Sequence, residues 1–159
     1  SADKEMLKSR INALTTAGGT AGHVGTAWAY YLLSPTWNNV IPSESRPAAF
    51  GTEKLKKIAI LLTDGEYNSP RDANGVVTGS NGAGANVNGL TSSQQAVQIC
   101  TNMKNDGIEI YTIGFDLGGN QTAINTLAAC ASSQSNAYLA ENTASLQTVF
   151  RDISVKLTD

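Results

Sequence analysis

An uninterrupted apolar run constrains the fold of this chain more than any other segment: Lys57-Ile58-Ala59-Ile60-Leu61-Leu62-Thr63-Asp64-Gly65-Glu66. It shows no polar alternation and closes on an acid followed by glycine. Such a run suits a strand buried on both faces of a parallel sheet, with a carboxylate at its C-terminal end. Ligands of open α/β sheets collect at those ends. Three roles stay open for Asp64: metal ligand, catalytic acid, or turn residue, since Asp-Gly pairs are common where a strand turns into a loop.

The rest of the chain alternates between helical and strand signals. Leu7, Ile11 and Leu14 fall at i, i+4 and i+7 before Gly18-Gly19, which predicts a helix with a glycine stop. Val24, Ala27, Trp28, Tyr31 and Leu32 predict a second helix, ended by Ser34-Pro35. Residues 36–52 read as a loop. Strands are expected at about 57–63, 108–114 and 137–140. Residues 66–90, dense in Gly, Asn and Ser, predict a long exposed loop with a small hairpin at Gly75–Gly79. Thr91-Ser92-Ser93-Gln94 is a capping box opening a helix that carries Ala96, Ile99, Cys100 and Met103, stopped by Asn105-Asp106-Gly107. A further helix bears Ile124, Leu127, Ala128 and Ala131. Thr143 is the expected cap of a last helix with Leu146, Val149, Phe150, Ile153 and Leu157 on one face.

From residue 57 onward the order is β-α-β-α-β-α, which implies parallel strands joined by right-handed crossovers. Before residue 57 there are two helices and no strand. The strand at residues 58–62 then becomes a hydrophobic edge with unpaired backbone groups, an aggregation hazard. The simplest expectation is a single partial α/β domain over residues 1–159, with one or more strands preceding Ser1 in a parent protein.

Bulk properties narrow the function classes. A chain of 159 residues with 41% hydrophobic and 15% charged residues fits one globular domain. Net charge is -2 and the basic residues are scattered, so neither a nucleic-acid footprint nor a polybasic membrane patch is present. No segment is apolar for long enough to span a bilayer, and the start has no signal-peptide pattern. Cys100 and Cys130 are the two cysteines, without C-x-x-C spacing or a zinc cluster with His23. Two buried thiols and one disulfide between consecutive helices are both open readings. A disulfide closing a loop of this length is worth about 3–4 kcal/mol in the chain-entropy model and implies an oxidising compartment.

Catalytic signatures are poor. His23, the one histidine, has no serine elbow, cysteine partner or second acid at a recognisable spacing, so a partly buried or loop histidine is the default. Gly18-Gly19-Thr20-Ala21-Gly22-His23-Val24-Gly25 hints at a phosphate loop, but it follows a helix and lacks Gly-Lys-Ser/Thr. For Thr20, a helix N-cap ahead of Val24 is the plain alternative to a ligand role. Trp28, Tyr30 and Tyr31 read as core packing plus one exposed aromatic.

Leu62-Thr63-Asp64-Gly65 at a strand end, with Gly18-Gly19-Thr20 two elements upstream, resembles the von Willebrand factor A domain. Within that family the chain is most similar to the tight-adherence (TadG-like) pilus-assembly group. Ala13–Thr20, Ala27-Trp28-x-x-x-Leu32-Leu33-Ser34-Pro35, Thr63-Asp64-Gly65-Glu66-x-Asn68, Tyr111–Phe115 and a paired Cys100 and Cys130 carry the likeness over most of the chain. The resemblance implies a doubly wound, Rossmann-like sheet and a metal-ion-dependent adhesion site. In such a site Thr20 and Asp64 are ligands of Mg²⁺, Mn²⁺ or Ca²⁺. Glu66, Asn68 and Asp116 are candidates for the rim or for bonding the ligands from behind.

One departure matters. The family's site begins with D-x-S-x-S, and no such string occurs here; Asp152-Ile153-Ser154-Val155-Lys156 lacks the last Ser and falls within an amphipathic helix. Two ligands are an incomplete set, so weak or absent cation binding is expected. The resemblance implies a non-enzymatic module of a bacterial surface or pilus-assembly protein, extracytoplasmic and anchored through a region outside this chain. Its partner is a protein that offers a carboxylate to the metal. The free strand edge would be met by an upstream part of the same domain or by self-association. A metal-dependent enzyme using Asp64 and Asp116 and a structural domain without metal function are the alternatives.

Overall fold

The computed structural model describes residues 2–15, 19–72, 74, 76–78 and 89–158. Three parallel strands, β1 (Lys57–Thr63), β2 (Ile108–Phe115) and β3 (Ala137–Ala140), form one sheet in the order β1-β2-β3. Among the described residues five α-helices accompany them: α1 (Ala2–Asn12), α2 (Gly22–Leu33), α3 (Ser92–Asn105), α4 (Gln121–Cys130) and α5 (Thr143–Thr158). The expected α/β alternation with parallel strands is therefore what the chain adopts. Residues 35–37, at the start of the expected loop, and 43–45, inside it, form single 3₁₀ turns.

The pleat divides the apolar run between two cores. Lys57↔Ile108, Ala59↔Ile110 and Leu61↔Thr112 are paired on one face, with Ile58↔Glu109, Ile60↔Tyr111 and Leu62↔Ile113 on the other. On the first face Ala59, Leu61, Ile108 and Ile110 pack with Cys100 and Met103 of α3, Cys130 of α4, and Ala29, Tyr30 and Leu33 of α2. On the second, Tyr111, Ile113 and Ala140 pack under Val149 and Ile153 of α5. That helix covers β2 and β3 and stops short of β1, leaving Ile60 41% and Leu62 48% exposed. The strand expected to be buried on both faces is thus covered on one, and it lies at the sheet's edge.

Caps and staples fix the helices. The capping box is present, with Thr91 Oγ1 accepting from Gln94 N and Thr91 N donating to Gln94 Oε1. Gly107, at φ +76°, ends the turn after α3. Two caps differ from the sequence reading. Ala21, not Thr20, precedes α2, and Asn142, not Thr143, caps α5 by accepting at Oδ1 from Ser145 N. Cys100 and Cys130 form a disulfide joining α3 to α4, with both residues essentially buried.

Lys57 opens β1 from a buried position. Its ammonium donates to the carbonyls of Leu33 and Ala48, 2.7 Å each, and faces the Phe50 ring. It pins the loop between α2 and β1 onto the end of the sheet. Trp28 is exposed, Tyr30 joins the core, and Tyr31 stacks on Trp37 with ring centroids 4.0 Å apart. The expected stripe of Leu7, Ile11 and Leu14 is exposed, and α1 ends before Leu14. An antiparallel bridge, Arg71↔Val77, turns the chain back on itself inside the long loop. Gly75 and Gly79, where the hairpin was expected, lie outside the described residues, as does Gly18. Among the described residues no helix is long and apolar enough to cross a membrane.

Candidate metal centre

The C-terminal end of β1 closes on a small hydroxyl turn. Thr63 Oγ1 donates to Gly65 O at 3.0 Å and accepts from Gly65 N at 3.3 Å. This local bonding occupies Thr63, which is buried, and leaves Asp64 exposed at the tip.

The segment after Asp64 docks on the loop before α2. Thr20 N donates to Asn68 Oδ1 at 2.9 Å, and Asn68 N donates back to Thr20 O at 3.0 Å. Ser69 Oγ also donates to Asn68 Oδ1, at 3.4 Å. Close approach demands glycine at two positions. A Cβ on Gly19 would come within 2.4 Å of Ser69 Oγ and 2.9 Å of Asn68 Oδ1. Tyr67 lies against Gly22 and is buried. Burial pushes the Tyr67 hydroxyl's pKa up, and the neighbouring Thr26 hydroxyl partly offsets this.

His23, in the first turn of α2, is buried at 6% exposure, and its Nδ1 has no hydrogen-bond partner among the described residues. Burial, followed by the nearby Arg71 charge, holds its pKa below the ordinary histidine value. The imidazole is therefore neutral near pH 7, a packing element rather than a charged one.

Thr20 and Thr63 line the same cavity of about 260 Å³, between α2 and the open edge of β1, together with Gly25, Ile60, Leu62 and Tyr67. Glu66 points to the other side of the site, where its carboxylate accepts from Asn120 Nδ2 at 3.3 Å. Asn120 also caps α4 by accepting from Ala123 N, so Glu66 is tied to that helix start. Asp116 sits at φ +49° and lines a separate cavity with Gly114, Leu139 and Glu141. Thr20 and Asn68 are thus bonded to each other near the end of β1, Glu66 is tied to the start of α4, and Asp116 lines a different cavity.

A threonine hydroxyl and a carboxylate are hard oxygen donors, right in kind for Mg²⁺, Mn²⁺ or Ca²⁺. They are short in number, since Mg²⁺ asks for about six oxygens near ~2.1 Å. Among the described residues no three His, Cys, Asp or Glu side chains gather. Sequence reasoning missed the packing of Tyr67 on Gly22, while the burial of His23 agrees with the partly buried histidine it took as the default. The only trace of that packing was the glycine spacing around Thr20.

A family model described as the von Willebrand factor type A domain matches residues 1–152. No curated protein matches the chain. Among solved structures, the pilus adhesin SpaC from Lactobacillus rhamnosus GG is similar with a TM-score of 0.66 and 15% identity, over 98% of this chain and 21% of the adhesin. The chain thus spans about a fifth of that protein's length. The vWF domain of the type V pili tip protein Mfa5 from Porphyromonas gingivalis gives 0.64 and 17%, over 94% of this chain and 71% of that one. Proximal thread matrix protein 1 from the mussel byssus, in a structure with a zinc-occupied MIDAS motif, gives 0.55 and 22%, over 98% and 29%. At these identities the likeness is one of fold.

Proposed function

Because the chain belongs to the von Willebrand factor type A family, we propose that it is a non-enzymatic adhesion or assembly module of a bacterial surface or pilus system, of the TadG-like kind. It makes protein–protein contact at the C-terminal end of β1, where a divalent cation held in part by Thr20 and Asp64 accepts a partner's carboxylate. One observation carries the reading. The reciprocal Thr20–Asn68 bonds hold the loop before α2 against the segment that follows Asp64. Glu66 and Asn68 form the rim.

The remaining ligands come from a strand that pairs with the open edge of β1, contributed by another part of the same protein or by a second copy. The groove between α2 and β1 is lined on the helix side by Gly22, Gly25 and Ala29, small residues that leave room for such a strand beside Ile60 and Leu62. The disulfide, the pilus adhesins of like fold and the family fit an extracytoplasmic place, periplasmic or on the cell surface. Anchoring then falls to a region beyond these residues.

Isothermal calorimetry with Mg²⁺, Mn²⁺, Ca²⁺ and Zn²⁺, on this chain and on Asp64→Ala, tests the cation role. Weak heats that vanish in the variant are expected. Equal heats in both proteins remove Asp64 from any metal role. Gel filtration with light scattering tests the edge, for which self-association is expected. A well-folded monomer at high concentration counts against edge pairing by a second copy.

A further inference from the structure

A second cavity, of about 410 Å³, opens at the C-terminal ends of β2 and β3. Its volume is within the range of small-ligand pockets. The floor is apolar and tightly built. Leu117 and Leu139 lie over Gly114, where a Cβ would come within 2.5 Å of Leu117 Cδ1 and 3.0 Å of Leu139 Cδ2, and Ile124 of α4 adds a wall. Leu139 is 56% exposed, so apolar surface stays open to an occupant.

Two exposed carboxylates complete the lining, Asp116 from the turn after β2 and Glu141 just beyond β3. None of the residues lining the cavity is basic. Among the described residues no ion pair within 4 Å involves either carboxylate. The cavity therefore combines an apolar slot with unbalanced negative charge at its rim.

We propose that this cavity receives a lysine side chain from an extended segment of a partner protein. A lysine's four-carbon stem covers apolar surface while its ammonium stays at the wet rim. The two acids come from different elements, which favours a compact ammonium with three divergent donors over a planar guanidinium suited to one carboxylate. The assignment is independent of the cation reading at β1 and is tested without metal.

The experiment is a heteronuclear NMR titration of ¹⁵N-labelled protein, in buffer with chelator, using the peptide acetyl-Gly-Lys-Gly-amide. A matched peptide carries norleucine, which keeps the stem and lacks the ammonium. The lysine peptide is expected to shift the amides of Gly114, Leu117–Gly119 and Leu139–Glu141 at millimolar concentration, and added salt to weaken the effect. The double variant Asp116→Asn/Glu141→Gln should raise the dissociation constant about fivefold or more, as loss of two exposed charge pairs predicts. Asn is tolerated at the positive φ of position 116, so the backbone is kept, and circular dichroism verifies the fold. Absence of shifts at these amides, equal shifts from norleucine, or undiminished binding by the double variant overturns the proposal. Tighter binding of Ca²⁺ alone at the same amides also overturns it, in favour of a cation site.

Discussion

Tyr67 occupies the space a side chain at position 22 would need: a Cβ built on Gly22 comes within 2.0 Å of the Tyr67 ring. The ring in turn meets Thr26, whose hydroxyl donates to Gly22 O at 2.8 Å. One aromatic from the segment after β1 thus locks onto the first turn of α2, and Asn68, its neighbour, makes the two bonds to Thr20.

Gly22→Ala should therefore cost about 1–3 kcal/mol, the usual price of overpacking. It should also release the segment after Asp64 from Thr20. Urea unfolding gives the first quantity, and hydrogen exchange at the Thr20 and Asn68 amides gives the second. A variant as stable as the parent, with both amides still protected, would sink this account of the site's rigidity.

The disulfide between α3 and α4 closes a sequence separation of 30 residues. Reduction, or the Cys100→Ala/Cys130→Ala pair, should cost about 3–4 kcal/mol by the loop-closure model. Both sulfurs are tied in the bridge, so alkylating reagent added to the denatured protein without reductant should leave its mass unchanged. Urea midpoints with and without reductant measure the stability term.

Tyr30 of α2 donates to Asp106 Oδ2, just after α3, at 2.5 Å. That bond first, then burial, then the Asp106 charge push the phenol up to about 12 from 10.0. A raised folded-state pKa gives stability that is complete below the unfolded value. The protein should therefore weaken as pH rises from 10.0 through about 12. Asp106→Asn should bring the phenol back toward its ordinary value and loosen the α2–α3 junction. Phenolate absorbance against pH reads the titration, and an unchanged midpoint in Asp106→Asn would count against the assignment.

His23 behaves in the opposite sense. Burial and then Arg71 lower its pKa from 6.5, so on acidification the unfolded chain takes up the proton first. Its contribution is present above 6.5 and is lost as pH falls below that value. Urea midpoints should drop between pH ~7 and ~5, and His23→Gln should flatten that part of the curve. A variant with the same slope as the parent would place the acid sensitivity elsewhere.

Much of the fold was legible because its signals are local. The apolar run at β1, the Thr91–Gln94 box and the glycine after Asp106 each act within a few residues, and each lies where the pattern put it. The two misplaced caps are failures of the same local rule. Asn142 outcompetes Thr143 because its side chain and that of Ser145 bond each other's backbone amides, and α2 starts at Gly22 because Thr20 is held by Asn68 instead.

The sequence by itself determined the alternation of elements, the parallel sheet and the family, since periodicity and short motifs are written in contiguous residues. It also identified Thr20, Asp64 and Asn68 as candidates. The edge position of β1 was also expected, but only the tertiary structure decided which of its faces is bare, with Ile60 and Leu62 uncovered because α5 lies over β2 and β3. It also decided that Asn68 grips Thr20 across 48 residues and that Asp116 faces a different cavity from the one beside Thr20. The reason is geometric. Contacts between loops depend on how helices stack on the sheet, and that stacking is set by the summed packing of the two cores rather than by any short stretch of chain.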